Sequence, residues 1–204
     1  MRLLVATRSA GKQAEARRLL EAAGHEVLFP DDAGVPESSL EAQVESEPTF
    51  AGNARRKAEY FQRKTGLPTV ADDSGLEVLS LGGEPGIRSK RWAGAEGTPA
   101  EVDAANNAEL LRRLRGAPAA KRSARYRCVL VLLRSADGVP EVFEGECAGR
   151  ILEAPAGTGG FGYDPLFWSG ELGRSFGEAS AEEKDRVSHR GKALRALVEA
   201  LDRP

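Results

Sequence analysis

The sequence predicts an α/β fold with a mixed sheet, and three observations support this prediction. Short apolar runs alternate with helix-like segments through the first half of the chain. Two longer strand-like runs, 125–134 and 141–151, then flank Asp137-Gly138, which is the pattern of an antiparallel hairpin. The chain has 204 residues, of which 41% are apolar, so residues 1–204 can form one domain around a substantial core. Alternating strands and helices favour parallel pairing, and the hairpin adds an antiparallel pair.

The first half of the chain contains the signals of three strands and two helices. Ser9 can cap the first helix and Thr49 the second, because side-chain hydroxyls accept the unpaired N–H groups of a first turn. Gly24 is expected to end the first helix. A turn is expected at 74–75, followed by an extended segment over 77–80. The predicted strands cover 2–6, 27–29 and 68–73, and the predicted helices cover 10–23 and 50–64.

The second half begins with a region over 82–99 that is rich in Gly and Pro and is expected to be irregular. Pro99 then starts a helix that runs to about residue 115, and the hairpin strands follow. A Gly-rich loop, 156–164, separates the hairpin from a C-terminal helix over 181–201. This last helix is expected to break near Ser188.

The charge balance and the cysteine count limit the classes of function. The 29 basic and 31 acidic residues give a net charge of −2, which argues against a general nucleic-acid-binding surface. The longest apolar run, 128–133, is too short to cross a bilayer, and the N-terminus lacks the apolar segment of a signal peptide. We therefore expect a soluble, cytoplasmic protein without a membrane partner, whose two cysteines are reduced core thiols.

Two adjacent carboxylates, Asp72 and Asp73, end an apolar run that is typical of a buried strand. Neighbouring strand residues point to opposite faces, so at most one of the two is expected to point directly into a cleft. A carboxylate at a strand end can bind Mg²⁺ or take a proton from water. The alternative is an Asp-rich turn leading into 74–75. Glu45 is a candidate second acid for the same metal.

Two helical segments have the features of phosphate sites. At the start of the first helix, residues 7–12 place backbone N–H groups and Lys12 where an anion is attracted. The glycine spacing excludes a Walker A loop, and an ordinary capped turn is the alternative. In the second helix, Asn53 and Lys57 lie on an otherwise apolar face. A lysine there either binds a phosphate or extends to water along its apolar stem.

Two segments in the last quarter of the chain are suited to a flat ligand. The loop 157–165 carries four glycines around aromatic residues, which favours close backbone approach and ring stacking over a simple turn. The segment 183–192 carries three potential hydrogen-bond donors, Lys184, His189 and Arg190. Taken alone, that segment is typical of a solvated helix face.

Together these segments resemble the inosine triphosphate pyrophosphatase family, and the resemblance spans nearly the whole chain in the family's order of motifs. It rests on Thr49-Phe50 followed by Asn53-Ala54 and Lys57-Ala58, on Ala71-Asp72-Asp73-Ser74-Gly75-Leu76, on Gly82-Gly83 with Pro85-Gly86-Ile87, on Gly157 to Pro165, and on Ser188-His189-Arg190-Gly191. Two positions depart from the family pattern: Ser9 stands where Asn is usual, and Arg88 stands where relatives often carry an aromatic residue.

The resemblance implies a fold, an activity and residue roles. The fold is a long mixed central sheet flanked by helices, with two lobes, a substrate cleft between them and a homodimeric assembly. The activity is Mg²⁺-dependent hydrolysis of ITP, dITP and XTP to the monophosphate and pyrophosphate. Asp73 is the implied catalytic base, and Glu45, Asp72 and Asp73 surround the metal. The implied substrate-binding residues are Thr7, Arg8, Ser9, Ala10, Gly11, Lys12, Asn53, Lys57, Ser74, Phe161, Gly162, Tyr163, Asp164, Lys184, His189 and Arg190.

Two other functions remain as alternatives. A Maf-like nucleotide pyrophosphatase with a different base specificity would share the Mg²⁺ chemistry, although the segment 188–190 argues against it. A non-catalytic nucleotide sensor or an RNA-binding module is disfavoured by the acidic pair and by the lack of a basic surplus.

Overall fold

The computed structural model describes residues 1–203, and for Ala42 it describes the backbone alone. Its strands are β1 (Arg2–Val5), β2 (Glu26–Leu28), β3 (Thr69–Val78), β4 (Ser123–Leu133), β5 (Glu141–Ile151), β6 (Phe167–Ser169) and β7 (Arg174–Ser175). They form one sheet in the order β2-β1-β3-β4-β5-β6-β7. β1 pairs in parallel with β2 and β3, whereas β6 pairs antiparallel with β5 and β7. The predicted α/β fold with a mixed sheet is confirmed.

Three of the helices begin at a residue whose side chain caps the first turn, namely Thr49, Thr98 and Ser180. The helices are α1 (Ala10–Ala22), α2 (Leu40–Val44), α3 (Phe50–Thr65), α4 (Pro99–Arg113), α5 (Ala181–Val187) and α6 (His189–Leu201). Thr49 accepts a hydrogen bond from the N–H of Gly52 and so caps α3, as predicted. Thr98 and Glu101 form a capping box at the start of α4, and Pro99 is the first residue of the helix. Ser188 has an extended conformation and separates α5 from α6, which confirms the predicted break.

The chain divides into two compact units. Among the described residues, the first unit contains 1–73, 128–145 and 190–203, and the second contains 74–127 and 146–189. In the first unit, β1 alternates its side chains between two cores. Leu3 packs in the cluster that holds apolar residues of α1 and α6, whereas Leu4 packs in the cluster that holds those of α3. This alternation is the reason why β1 reads as a continuous apolar run.

The core of the second unit is built from aromatic and leucine side chains. Leu76 and Val78 of β3 pack in one cluster with Leu110 of α4 and with Phe167 and Phe176. Each of these five side chains is fully buried. The cluster anchors α4 and the segment around β6 in the same unit.

The structure differs from the sequence-based expectation in two respects: one predicted turn is absent, and three short elements were not predicted. The predicted turn at 74–75 is wrong, because β3 continues without interruption to Val78. A Cβ atom at Gly75 would overlap the carbonyl oxygen of Gly86, so the glycine is required by a close backbone approach within the strand. The elements α2, β6 and β7 were not predicted. They have five, three and two residues, which is too short for a periodic pattern to develop.

The structure also bears on the cysteines and on membrane insertion. Cys128 and Cys147 are buried thiols that form no disulfide, as predicted. Burial raises the pKa of the Cys128 thiol to about 12, so this side chain stays protonated. Within residues 1–203, every helix is too short or too polar to span a bilayer.

Candidate active site

The acidic pair lies in β3, beside the C-terminal end of β1. The parallel register places Val5 opposite Val70, and the N–H of Ala6 donates to the carbonyl of Val70 at 2.8 Å. Beyond this point β1 leads into α1, while β3 continues through Asp72. The start of α1 and the acidic pair are therefore neighbours in the first unit. We name the group of polar side chains around them the charged cluster: Lys12, Glu15, Glu45, Asn53, Lys57, Asp72, Asp73 and Arg190.

Asp72 is surrounded by cations. Its Oδ2 atom lies 2.8 Å from the Nζ of Lys12 and accepts a hydrogen bond from the Nε of Arg190 at 3.4 Å. The backbone carbonyl of Asp72 accepts a third hydrogen bond, from the Nζ of Lys57 at 2.9 Å. Burial alone would raise the pKa of Asp72, but Lys12, Arg190 and Lys57 outweigh it and hold the pKa well below the ordinary value. The side chain of Asp72 is therefore ionised at neutral pH, and three positively charged side chains contact this residue.

Asp73 has a different environment, although it is the next residue. Its Oδ2 atom accepts a hydrogen bond from the side-chain amide of Asn53 at 2.9 Å. The residue is 7% exposed, and this burial raises the pKa of its carboxylate to about 6 against the opposing effects of Lys57, Asn53 and Lys12. A carboxylate with a raised pKa can accept a proton near neutral pH.

Asn53 connects Asp73 to the segment that precedes α3. Its Oδ1 atom accepts the backbone N–H of Glu47 at 2.8 Å, while its amide nitrogen binds Asp73. Asn53 is 1% exposed, and these two hydrogen bonds define the orientation of its amide. The residue predicted to bind substrate therefore orients the candidate base.

Glu45 and Asp73 are the residues whose chemistry suits a divalent cation. Glu45 forms an ion pair with Lys57, and its charge contributes to the raised pKa of Asp73. Among residues 1–203, no three acidic, histidine or cysteine side chains are grouped closely enough to hold a metal by themselves. Mg²⁺ often takes only one or two carboxylates, however, and fills its remaining positions with water and substrate phosphate oxygens. The donor set therefore fits a metal that is shared with a phosphorylated substrate.

Arg190 and Glu15 form a buried ion pair inside the charged cluster. The Nη1 of Arg190 binds the carboxylate of Glu15, and both side chains are about 5% exposed. Burial would lower the pKa of Arg190, but Glu15 and Asp72 outweigh it and keep the guanidinium charged. Arg190, predicted from the sequence to read a base, thus contacts two carboxylates of the first unit.

The start of α1 leaves an open N-terminal turn. Ser9 occupies the N-cap position, as predicted, but its side chain makes no capping hydrogen bond, and Ser9 and Ala10 are both exposed. The hydroxyl of Thr7 accepts the N–H of Ser9 at 3.3 Å, and Gly11 follows in the first helical turn. The N–H groups of this turn are available to an anion next to the ammonium of Lys12.

The guanidinium of Arg8, in contrast, forms hydrogen bonds and ion pairs with other residues of the first unit. Its guanidinium binds Glu41 through Nε and Nη2 at 2.8 Å, Asp31 at 2.5 Å and the carbonyl of Val35 at 3.0 Å. These contacts raise its pKa above the ordinary value. Arg8 therefore fixes the loop that leads into α2.

A second group of predicted residues meets in the second unit. We name it the aromatic cluster: Tyr126, Phe161, Tyr163, Asp164, Lys184 and His189. The Nζ of Lys184 lies 2.5 Å from the Oδ2 of Asp164 and 4.5 Å from the centre of the Phe161 ring. The same carboxylate accepts the N–H of Phe161 at 2.8 Å. Asp164 thus holds both the lysine and the loop that carries the ring.

Tyr126 supports this group through its ring and its hydroxyl. The ring stacks on His189 with centroids 4.5 Å apart and an interplanar angle of 5°, and the hydroxyl lies 3.5 Å from Asp164. The hydroxyl of Tyr163 donates to the carbonyl of Ser89 at 2.9 Å. Ser74 lies in β3 and is half-buried.

The glycines of the loop 157–165 are needed for its internal packing. A Cβ atom at Gly157 would overlap the carbonyl of Gly177, and one at Gly160 would overlap the carboxylate of Asp164. Both glycines also have positive φ angles. The glycine content therefore builds a compact loop that presents Phe161.

Sequence reasoning missed four residues that contact these groups. Glu15 and Tyr126 are described above, and Asp103 and Asn107 form hydrogen bonds with the backbone of Gly162 in the glycine loop. A signal was available for three of them. Glu15 lies among the apolar positions of α1, and Asp103 and Asn107 lie on the helical stripe that continues to Leu110. A polar side chain on a buried stripe requires a polar partner, which the sequence alone does not name.

Comparison with known proteins identifies the family. The model of the Ham1 family matches residues 3–200. The chain belongs to the Ham1 family. This match and the relatives named dITP/XTP pyrophosphatase confirm the predicted family.

Relatives and solved structures of Ham1 proteins agree with this assignment. The chain is 47% identical to a dITP/XTP pyrophosphatase of Thermus thermophilus, covering 98% of this chain and 91% of the relative. It is 44% identical to the dITP/XTP pyrophosphatase of Shigella flexneri, covering 98% of both. The structure of a HAM1 protein from Coxiella burnetii superimposes with a TM-score of 0.84 at 34% identity, covering 98% of both chains.

Proposed function

We propose that this protein hydrolyses non-canonical purine nucleoside triphosphates, namely ITP, dITP and XTP, to the monophosphate and pyrophosphate. The observation that carries the proposal is the 47% identity, over 98% of the chain, to a protein named dITP/XTP pyrophosphatase. The charged cluster supports it, because it joins an acid with a raised pKa to lysines that suit phosphate.

The triphosphate is proposed to bind at the start of α1. There the N-terminal turn offers the N–H groups of Ala10 and Gly11, and Lys12 and Lys57 supply positive charge. Thr7 shapes the turn through its hydrogen bond to Ser9. Ser9 reaches less far than the asparagine usual in the family, so the backbone of the turn carries more of the binding.

Asp73 is proposed to take the proton from the attacking water. Its raised pKa, the result of burial, suits this task, and Asn53 holds the carboxylate in one orientation. Asp73 and Glu45 would hold Mg²⁺, which when bound neutralises the phosphate oxygens where charge develops. Asp72 is proposed to act on the metal through its charge alone, because Lys12 and Arg190 occupy its carboxylate.

The base is proposed to stack on Phe161 and to pair with Lys184 and His189 through its 6-oxo group. A donor facing the amino group of adenine would lose its partner, which costs about 1–3 kcal/mol per buried donor. Asp164 and Ser74 are assigned to the base or the sugar, and the loop at 162–163 to the walls of the pocket. Arg190 was predicted as a third donor, and that role stays a prediction because its guanidinium contacts two carboxylates.

We further propose that residues 1–204 act as one nucleotide-pyrophosphatase domain in a cytoplasmic homodimer, as the family resemblance implies. The buried, unlinked thiols of Cys128 and Cys147 are compatible with a reducing compartment. Light scattering after gel filtration measures the assembly directly, and a monomer at micromolar concentration would contradict the dimer.

Pyrophosphate release across a panel of nucleoside triphosphates tests the activity. The panel contains ITP, dITP, XTP, ATP, GTP and the pyrimidine nucleotides, each with Mg²⁺ and with EDTA. We expect release from the first three substrates, and only with the metal. Release mainly from other nucleotides would favour a Maf-like enzyme, and binding without release would favour a nucleotide sensor.

A further inference from the structure

Two side chains of α4, Asp103 and Asn107, hold the backbone of Gly162 from both sides. The Oδ2 of Asp103 accepts the N–H of Gly162 at 2.7 Å. The Nδ2 of Asn107 donates to the carbonyl of Gly162 at 2.8 Å. The two residues lie four positions apart, so they project from the same face of the helix one turn apart. One helix therefore fixes both backbone polar groups of a single residue in the glycine loop.

The clamp formed by Asp103 and Asn107 is itself held in place. The amide nitrogen of Asn107 also donates to the carbonyl of Asp103 at 2.8 Å, and Lys90 binds the other carboxylate oxygen of Asp103 at 3.1 Å. The Asn107 amide thus directs its nitrogen at two carbonyl oxygens, while its own oxygen is buried without a hydrogen bond among residues 1–203. A side chain arranged in this way serves as a donor, and its orientation is set by the helix.

Gly162 is the point at which the loop changes direction next to Phe161. Its φ angle of 63° lies in the left-handed region, where glycine is favoured. On one side the N–H of Phe161 binds Asp164, and on the other the hydroxyl of Tyr163 binds Ser89. With the backbone at Gly162 also fixed, the ring of Phe161 has a set direction beside the ammonium of Lys184.

We propose that Asp103 and Asn107 are positioning residues for purine binding. By holding Gly162 they fix Phe161 in the orientation in which a base stacks on it, so less order has to be gained when the nucleotide binds. This inference rests on the proposed function, in which Phe161 stacks on the purine. It assigns α4 a part in base recognition without contact to the base.

The test compares purine binding with turnover in variants of α4. In Asn107→Ala and Asp103→Ala, we expect the KM for dITP and the Kd for inosine monophosphate to rise about five- to tenfold, as loss of one ordered hydrogen bond implies. The kcat at saturating dITP should stay within about twofold, because the charged cluster is untouched. Asp103→Asn keeps an oxygen acceptor for Gly162 and should restore the wild-type Kd.

A matched control and a second variant keep the test decisive. Glu109→Ala removes surface ion pairs to Arg112 and Arg113 on the same helix, away from the loop, and should leave the Kd unchanged. Asn107→Asp keeps the shape but loses the donor, so it should weaken binding even if the alanine variant folds poorly. Hydrogen exchange of a peptide covering 157–166 should be faster in both Asn107 variants.

Each outcome of the experiment decides the proposal. An unchanged Kd for inosine monophosphate in the Asp103 and Asn107 variants would overturn it, and so would an equal loss in Glu109→Ala. If the wild-type protein releases no pyrophosphate but binds inosine monophosphate in a manner that depends on the clamp, the proposed function fails and the positioning role holds. If the wild-type protein binds no purine, both fail.

Discussion

The charged cluster and the aromatic cluster both bury charges, but they balance them differently. In the charged cluster, Asp72 is matched by three cations and its pKa is lowered, whereas its neighbour Asp73 accepts from the Asn53 amide and has a pKa raised to about 6. In the aromatic cluster, Lys184 is paired with Asp164 at 2.5 Å, beside the ring of Phe161. The uneven balance leaves Asp73 as a carboxylate that can change its protonation state near neutral pH.

We propose that this difference separates the chemistry of the reaction from recognition of the base. Buried ion pairs contribute little net stability, so a pair that is retained often has another purpose. The Lys184–Asp164 pair of the aromatic cluster holds a donor and a ring in fixed positions, which is what selection among bases requires. The surplus of cations around Asp72 suits a polyanionic substrate, and the raised pKa of Asp73 suits proton transfer.

The largest effect is expected from Asp73→Asn. A positioned general base contributes about 10²–10⁴-fold to the rate, so kcat for dITP with Mg²⁺ should fall by about that factor. The amide oxygen introduced by this substitution can still accept the hydrogen bond from Asn53, so at a Mg²⁺ concentration that saturates the variant the KM should change little. Steady-state pyrophosphate release measures both constants.

Asp31→Asn is the matched control, because Asp31 is an exposed acid that pairs with Arg8. It should keep kcat within about twofold. The comparison of the two clusters breaks down if Asp73→Asn retains near-normal turnover, since the unevenly balanced carboxylate would then have no chemical role.

The next effect in size concerns the buried ion pair of the charged cluster. Glu15→Gln removes the charge opposite Arg190 and leaves the buried guanidinium with its longer contact to Asp72. Loss of one partner of a buried pair costs about 3 kcal/mol, and urea unfolding should show this loss in the free energy of unfolding. Glu21→Gln, which breaks a surface pair with Arg17, should cost less than about 0.5 kcal/mol. Equal stability of the two variants would mean that the buried pair is not an organising element.

Much of the fold was predictable because it depends on local signals. The apolar runs of β1 and β4, the cap at Thr49 and the break at Ser188 were all read from short segments, and each is confirmed. The turn expected at 74–75 failed because Gly75 owes its place to the distant backbone of Gly86. The sequence alone does not distinguish a glycine that is needed for close contact with a distant backbone segment from a glycine that is needed for a turn.

The sequence predicted which residues belong to the candidate site better than it predicted which of them contact one another. The motifs placed Asp72, Asp73 and Lys57 in one group, and the structure brings them together. Sequence reasoning gave Arg190 to the base, whereas the structure pairs it with Glu15 and Asp72. Pairings across 118 or 175 positions depend on how β3, α1 and α6 pack, which no local pattern encodes.

The smallest effect is expected in the aromatic cluster, from Phe161→Leu. Stacking of a base on an aromatic ring is worth about 1–3 kcal/mol, so the KM for dITP should rise about tenfold while kcat stays constant. Because every base has a π-face, stacking is tolerant of base identity, and the ratio of kcat/KM between dITP and dATP should not change. Phe143→Leu, the same substitution at a partly buried ring of the first unit, should leave the KM unaltered. A changed ratio would show that Phe161 itself discriminates between bases, and an unchanged KM would mean that the purine is held elsewhere, so that the even charge balance around Lys184 serves the fold alone.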